Sequence, residues 1–103
     1  MALSLQVIYP ITDDTTFDYD YYLGTHMPMV SEHMGAHIDK VLVTKGLASG
    51  PDAAPESYAV ASMTFVDQTA LDAALAAAGP VVADIANFTN TKPQMLIGEV
   101  IAQ

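Results

Sequence analysis

The sequence contains no cysteine, and its only basic side chains apart from three histidines are three lysines. Without cysteine, disulfides, iron–sulfur clusters and thiolate zinc sites are excluded. Lys40, Lys45 and Lys92 are scattered, and 12 acidic residues bring the formal net charge to −9. Nucleic acids and anionic membrane surfaces bind proteins through basic patches, so neither is an expected partner.

Long apolar runs and targeting segments are also missing. No apolar stretch reaches the roughly 18–20 residues that span a bilayer, and the N-terminus lacks the basic region and apolar run of a signal peptide. We therefore expect a cytoplasmic protein. Hydrophobic residues make up 51% of the chain and charged residues 15%, which is typical of a folded domain. The length predicts a single domain over residues 1–103.

The hydrophobic pattern predicts the order strand, helix, strand, strand, helix, strand. The predicted strands are Ala2–Tyr9, Ile38–Leu47, Tyr58–Val66 and Pro93–Ala102, and the predicted helical segments are Phe17–Met34, Asp67–Ala78 and Pro80–Ala86. Asp67 is the expected cap of the second helix and Gly79 its expected end. This order favours an α+β, ferredoxin-like βαββαβ fold, in which a four-stranded antiparallel sheet carries both helices on one face.

None of the predicted strands has a charged face. In the last strand Ile97 and Ile101 point one way, and Leu96 and Val100 point the other. A sheet that is apolar on both sides would leave a large exposed patch on a monomer. A second copy of the chain would cover it, so we expect a homodimer that packs through its sheet faces.

The first predicted helix has an internal proline. Pro28 lacks an N–H group and its ring crowds the carbonyl of Gly24, so we expect a kink that Gly24 and Thr25 accommodate. We expect Thr16 to be the N-cap of this helix and Gly35 to end it. The expected apolar stripe of this helix comprises Tyr19, Leu23, Met27, Val30 and Met34.

His26 lies beside this predicted break, and Tyr22 shares its helix face at a spacing of four residues. A histidine can give or take a proton near neutral pH, and a neighbouring phenol can orient it or polarise a carbonyl. His26 and Tyr22 are therefore the candidate catalytic residues. In the alternative interpretation His26 is structural and bonds a carbonyl freed near Gly24.

The remaining histidines and carboxylates suggest no metal site. His33 and His37 have helical spacing, but Gly35 lies between them and no carboxylate is placed to complete a set with His26. By spacing alone, Phe17 and Tyr21 are expected to be core aromatics. Four carboxylates lack calcium-loop spacing and are expected to cap helices or face solvent: Asp13, Asp14, Asp18 and Asp20.

Two segments of the chain resemble the EthD family. The first is Phe17-Asp18-x-x-Tyr21-Tyr22-x-x-x-His26-Met27-Pro28-Met29-Val30, which follows an opening Val7-Ile8-Tyr9-Pro10. The second is Ala83-Asp84-Ile85-Ala86-Asn87-Phe88-Thr89-Asn90-Thr91-Lys92-Pro93. Within it, this chain has Phe88, Asn90 and Thr91-Lys92 where relatives tend to carry Tyr, Asp and Ile or Glu.

The resemblance implies a dimeric α/β barrel, in which two ferredoxin-like sheets face each other. The family is named for a protein needed to degrade an ether fuel additive, and similar barrels include muconolactone isomerases, cofactor-free monooxygenases and polyketide cyclases. We expect no cofactor. The residues to which the resemblance gives weight are Tyr21, Tyr22 and His26, with Asp18 as a helper and Asn87 and Phe88 as further ligand contacts.

Three functions are compatible with these residues. The first is a cofactor-free enzyme for aromatic or polyketide-like compounds, with His26 as general base or acid and Tyr22 or Tyr21 as hydrogen-bond donor. The second is a non-catalytic accessory or ligand-binding protein that supports an oxidative degradation pathway. The third is haem binding through His26, as in several similar barrels.

Overall fold

The computed structural model describes residues 1–103 and has the predicted order of elements. The strands are β1 (Leu3–Pro10), β2 (Lys40–Lys45), β3 (Ser57–Phe65) and β4 (Gln94–Glu99). The α-helices are α1 (Tyr19–Tyr21), α2 (Met27–Met34), α3 (Gln68–Ala76) and α4 (Gly79–Asp84). A π-helical turn (Tyr22–His26) joins α1 to α2, and short 3₁₀ turns (Gly35–His37 and Ile85–Asn87) follow α2 and α4.

The four strands form one antiparallel sheet in the order β2-β3-β1-β4. This arrangement confirms the predicted α+β, ferredoxin-like fold. In β1 the side chains of Leu3, Leu5, Val7 and Tyr9 are buried, whereas the intervening residues are only partly covered. The core therefore lies between the helices and one face of the sheet, which we call the inner face.

Two predicted helix ends are wrong. The helix α3 ends at Ala76, and Gly79 begins α4 instead of ending the helix before it, since Pro80 suits the first turn of a new helix. The N-cap of α1 is Asp18 and not Thr16, because the Asp18 side chain accepts a hydrogen bond from the Tyr21 N–H at 3.1 Å. Asp67 caps α3 as predicted, accepting from the Ala70 N–H at 2.9 Å.

The expected disturbance ahead of Pro28 takes the form of the π-helical turn, in which the Met27 N–H bonds the Tyr22 carbonyl five residues back. Pro28 then occupies the first turn of α2, where its missing N–H costs nothing. The extra residue in this turn changes which side chains face the core. The predicted stripe is wrong at Leu23, which is 60% exposed, and the buried side chains are instead Tyr22, His26, Val30 and Met34.

Hydrogen bonds join the segment before α1 to the loop after α4. The Asp18 N–H bonds the Phe88 carbonyl at 2.8 Å, and the Thr89 hydroxyl bonds the Thr16 carbonyl at 2.6 Å. These bonds hold α4 beside the π-helical turn, and so bring Asp84 to His26.

None of the individual helices combines the length and the hydropathy of a segment that spans a bilayer. Only the pair Gln68–Ala76 and Gly79–Asn87, which is bent by 54°, has that length and composition when both members are counted together.

Candidate functional site

The site centres on a buried histidine–carboxylate pair. His26 is 2% exposed and Asp84 is 7% exposed. The Nδ1 atom of His26 lies 2.9 Å from Oδ2 of Asp84. His26 therefore bonds a carboxylate from a distant part of the chain and not a carbonyl near Gly24.

The second oxygen of Asp84 is also occupied. Its Oδ1 atom accepts a hydrogen bond from the Tyr21 hydroxyl at 2.6 Å and another from Asn87 Nδ2 at 3.0 Å. The Tyr21 hydroxyl, followed by Asn87 and then His26, lowers the pKa of the Asp84 carboxyl against the opposing effect of burial. An ionised Asp84 can only accept hydrogen bonds, so Nδ1 of His26 carries a proton, and in the neutral imidazole Nε2 is the nitrogen with the lone pair.

His26 lies in the wall of an apolar cavity of about 70 Å³ between the helices and the inner face of the sheet. Of the 16 residues that line it, 15 are hydrophobic, and His26 is the exception. An engineered apolar cavity of ~150 Å³ holds a benzene molecule. A ring-sized ligand would therefore have to move some of the lining side chains.

The lining contains four of the six methionines of the chain: Met27, Met34, Met63 and Met95. Methionine is unbranched and adapts its shape easily, so these side chains can make room for a ligand. Three lining residues are exposed and mark the mouth of the cavity: Leu75 (39%), Val82 (50%) and Met95 (53%). The mouth carries no charged side chain.

Tyr22 lines the same cavity and lies directly beside His26. The two rings are stacked, with centroids 5.6 Å apart and an angle of 17° between their planes. The spacing of four residues therefore places both side chains together, as the sequence predicts. The Tyr22 hydroxyl is buried and has no hydrogen-bond partner, and burial raises the pKa of Tyr22 to about 12.

The other candidate residues lie around this pair and do not line the cavity. Tyr21 and Asn87 bind Asp84. Phe88 is buried and packs against the His26 ring, with centroids 4.5 Å apart. Asp18 is exposed and caps α1. Asp18, Asn87 and Phe88 border a separate, more polar groove between the two joined segments.

No role for Asp84 is predicted from the sequence, although this residue lies within the second EthD-like segment. A signal was present, since Asp84 is the only acidic residue between Asp72 and Glu99 and lies in an apolar stretch. Carboxylates are rarely buried without a partner. That pattern alone, however, does not indicate which of the three histidines is the partner.

Comparisons with solved structures find several proteins with the same fold. An EthD-like protein from Ralstonia eutropha JMP134 is 34% identical, with a TM-score of 0.87 over 99% of this chain and 94% of that one. SnoaB, a cofactor-independent oxygenase from Streptomyces nogalater, is 10% identical, with a TM-score of 0.63 over 99% and 94%. A dimeric ferredoxin-like protein of unknown function from Thermobifida fusca YX is 10% identical, with a TM-score of 0.66 over 97% and 92%.

Neither the protein-family models nor the curated proteins provide a match. The likenesses at 10% identity establish the fold alone. The likeness to the Ralstonia protein, however, covers nearly the full length of both chains at 34% identity. Together with the two sequence segments around His26 and Asp84, it establishes that this chain belongs to the EthD-like family.

Proposed function

We propose that this protein is a cofactor-free enzyme in which His26 removes a proton from a carbon atom next to a carbonyl group of a small, apolar ring compound. The observation that carries the proposal is the 2.9 Å bond between His26 Nδ1 and Asp84 at the edge of an apolar cavity. A base that works on such a carbon needs a free lone pair, a fixed orientation and little competing water.

The Asp84 carboxylate supplies the fixed orientation. By accepting from Nδ1 it holds the imidazole in the tautomer whose Nε2 is unprotonated, and it stabilises the positive charge that forms when Nε2 takes a proton. Tyr21 and Asn87 hold the carboxylate in turn through its other oxygen. Tyr21 and Asn87 thus hold Asp84, Asp84 holds His26, and Nε2 of His26 is the end of this hydrogen-bonded network.

The cavity lining limits the class of ligand. With 15 hydrophobic residues among 16, it offers no cation to neutralise a carboxylate or phosphate group. The net charge of −9 also disfavours the approach of anions. An uncharged aromatic or polyketide-like compound with few polar atoms fits this lining, and the four methionines provide the room that it needs.

Proton abstraction next to a carbonyl is a first step that isomerisation, cyclisation and cofactor-free oxygenation share. SnoaB is described as a cofactor-independent oxygenase, which is consistent with such chemistry on this fold. At 10% identity, the likeness to SnoaB shows only that the two proteins share the fold. The alternative is a protein that binds the same ligand without reacting with it. The two functions differ in whether bound ligand exchanges protons with solvent.

The test follows the exchange of the C1 protons of 2-tetralone, an uncharged bicyclic ketone, in D₂O by NMR. We expect the protein to accelerate exchange, and His26→Ala to lose about 10²- to 10⁴-fold of that acceleration, which is the usual contribution of a general base. His33→Ala removes an exposed histidine of α2 and serves as the matched control. Binding of 2-tetralone without acceleration would contradict the proposal and favour the binding function.

We also propose that the protein is a homodimer that packs through the outer face of the sheet, opposite the helices. No carboxylate lies on this face, and Lys40 is the only charged strand residue there, according to the register of the strands. Ile8, Leu42, Val60 and Leu96 are apolar side chains on this face, and Leu42 is 67% and Leu96 54% exposed. The face also carries uncharged polar side chains: Ser4, Gln6, Thr44, Ser62, Thr64 and Gln94. The similar Thermobifida protein is described as dimeric.

A further inference from the structure

Tyr9 and Tyr22 differ from the other tyrosines of the chain. Of the five tyrosines, three have hydroxyls that bond protein groups. Tyr19 donates to the Tyr58 carbonyl at 2.9 Å, Tyr21 donates to Asp84 at 2.6 Å, and the Tyr58 hydroxyl shares a 2.8 Å bond with Thr15. The Tyr22 hydroxyl is buried without a partner, on a residue that is 1% exposed. Tyr9 is 2% exposed, and its hydroxyl makes no hydrogen bond within the chain.

These two residues are neighbours in the same cavity. Tyr9 points from β1 toward the helices, and its ring centroid lies 5.7 Å from that of Tyr22 with an edge-to-face angle of 75°. Both line the cavity that His26 borders. Two buried or half-buried aromatic residues beside them carry no hydroxyl: Phe17 and Phe88. A phenylalanine would pack as well as either tyrosine, so packing does not account for the two hydroxyls.

An unpartnered hydroxyl inside a protein is unfavourable, because the group loses its bonds to water and gains none. One such hydroxyl, on Tyr22, beside a second on Tyr9 that makes no hydrogen bond within the chain, indicates a partner that arrives with a ligand. We propose that the Tyr9 and Tyr22 hydroxyls form a pair of donors that holds the oxygen atom of the ligand, and that the ligand is a neutral cyclic ketone or phenol. This inference rests on the cavity of the proposed function and adds Tyr9 to the site.

The positions of the lining residues give the ligand an orientation. Tyr9, Tyr22 and His26 are buried, whereas Val82 and Met95 lie at the exposed mouth. The ligand oxygen therefore binds at the inner end and the apolar ring extends toward the mouth. When His26 removes a proton from the adjacent carbon, negative charge develops on that oxygen, where the two hydroxyls stabilise it.

Both phenols remain protonated and able to donate. Burial raises the pKa of Tyr22 to about 12. Burial also raises the pKa of Tyr9, and the neighbouring Tyr22 raises it further. Hydrogen-bond donors already in place at the developing charge need no reorganisation during the reaction.

The test compares the binding of 2-tetralone with that of tetralin, which has the same ring system without the oxygen. We expect the wild-type protein to prefer 2-tetralone, and Tyr9→Phe and Tyr22→Phe each to reduce that preference about 3- to 10-fold, as expected for one lost hydrogen bond. Tyr19→Phe removes a hydroxyl that is already bonded within the protein, and it should leave the preference unchanged. An unchanged preference in both cavity variants, or no binding of either probe, overturns the proposal.

A stability measurement separates a ligand-binding role from a structural one. Because the Tyr22 hydroxyl has no partner, Tyr22→Phe should unfold at an equal or higher urea concentration than the wild type while it loses the preference for the ketone. A clear loss of stability would show that the hydroxyl is bonded within the folded chain and would overturn the proposal.

Failure of the proposed donor pair can be distinguished from failure of His26 as general base. The binding preference is measured at equilibrium and can be repeated in His26→Ala, in which proton exchange is expected to be lost. If the protein does not accelerate proton exchange of 2-tetralone, but its preference for 2-tetralone over tetralin depends on Tyr9 and Tyr22, the donor pair is supported and the role of His26 as general base is refuted. If proton exchange depends on His26, but the preference for 2-tetralone is unchanged in Tyr9→Phe and Tyr22→Phe, the general base is supported and the donor pair is refuted.

Discussion

Asp84 binds His26 with one carboxylate oxygen and uses the other for Tyr21 and Asn87. The His26 bond is 2.9 Å long, and those to Tyr21 and Asn87 are 2.6 Å and 3.0 Å. Because Tyr21 and Asn87 bond Oδ1, the contact between Asp84 and His26 uses Oδ2 alone.

Asp84→Asn tests that division. The asparagine oxygen should remain with Tyr21 and Asn87, which donate, so the amide NH₂ would face His26 and force the proton from Nδ1 to Nε2. We expect proton exchange of 2-tetralone to slow by at least about 10²-fold, and imidazole ¹⁵N shifts to report the tautomer change. Asp72→Asn alters an exposed carboxylate of α3 and is the control. A slow variant that keeps the wild-type tautomer would contradict the explanation.

Tyr21→Phe tests how the site responds to pH. The Tyr21 hydroxyl is the largest influence that lowers the pKa of Asp84. A carboxyl with a lowered folded-state pKa stabilises the fold above its ordinary value of about 3.9, and the stabilisation is lost as the pH falls through the folded-state pKa. We therefore expect Tyr21→Phe to be less stable than the wild type at pH 7, and the difference to shrink as the pH falls below about 4.

The measurement is urea unfolding of both proteins from pH 7 to pH 2. Tyr19→Phe is the matched variant, since its hydroxyl bonds a carbonyl and not a carboxylate. Its stability difference from the wild type should be independent of pH. The same pH dependence in both variants would show that Asp84 is not its source.

Gly24→Ala and Gly46→Ala should have opposite effects. A methyl group at Gly24, in the π-helical turn, would meet no atom within 4 Å. Because alanine loses less backbone freedom on folding, Gly24→Ala should raise the free energy of unfolding by about 0.5–1 kcal/mol. A methyl group at Gly46 would collide with the Ser57 carbonyl oxygen, so Gly46→Ala should be destabilising. Urea unfolding of the pair checks both, and destabilisation by Gly24→Ala would mean that the turn does not tolerate a side chain.

Charges on the outer face of the sheet should dissociate the proposed dimer. We expect Leu42→Asp and Leu96→Asp each to weaken association by roughly 10-fold or more, because a carboxylate loses its hydration when the interface buries it. Leu23→Asp places the same charge at a residue that is 60% exposed on the helical side and is the control. Analytical ultracentrifugation gives the masses, and a monomeric wild-type protein at micromolar concentration would refute the dimer.

The fold could be predicted because it depends on local patterns. The alternating residues of β1 and the caps and prolines of the helices each mark their own element, and the order of elements then indicates the topology. The buried face of the first helix could not be predicted in the same way. A periodicity of 3.6 residues placed Leu23 in the core, whereas the π-helical turn exposes it and buries Tyr22 and His26.

The site was predicted only in part for a similar reason. The proximity of Tyr22 and His26 follows from their spacing along one helix. The bond between His26 and Asp84 joins residues 58 positions apart. It depends on how α4 packs against the π-helical turn, which no local pattern in the sequence records.

The π-helical turn also explains how two residues of one helix reach the same carboxylate. Tyr21 and His26 are five positions apart, and at about 100° per residue an α-helix would direct them roughly 140° away from each other. In a π-helical turn the backbone hydrogen bonds join residues five apart, so residues at this spacing point in more similar directions. The extra residue in the turn thus allows both side chains to bind Asp84, with Tyr21 on one carboxylate oxygen and His26 on the other. Deleting a single residue from the turn would therefore separate Tyr21 and His26, so that they could no longer bind Asp84 together, although both side chains would still be present.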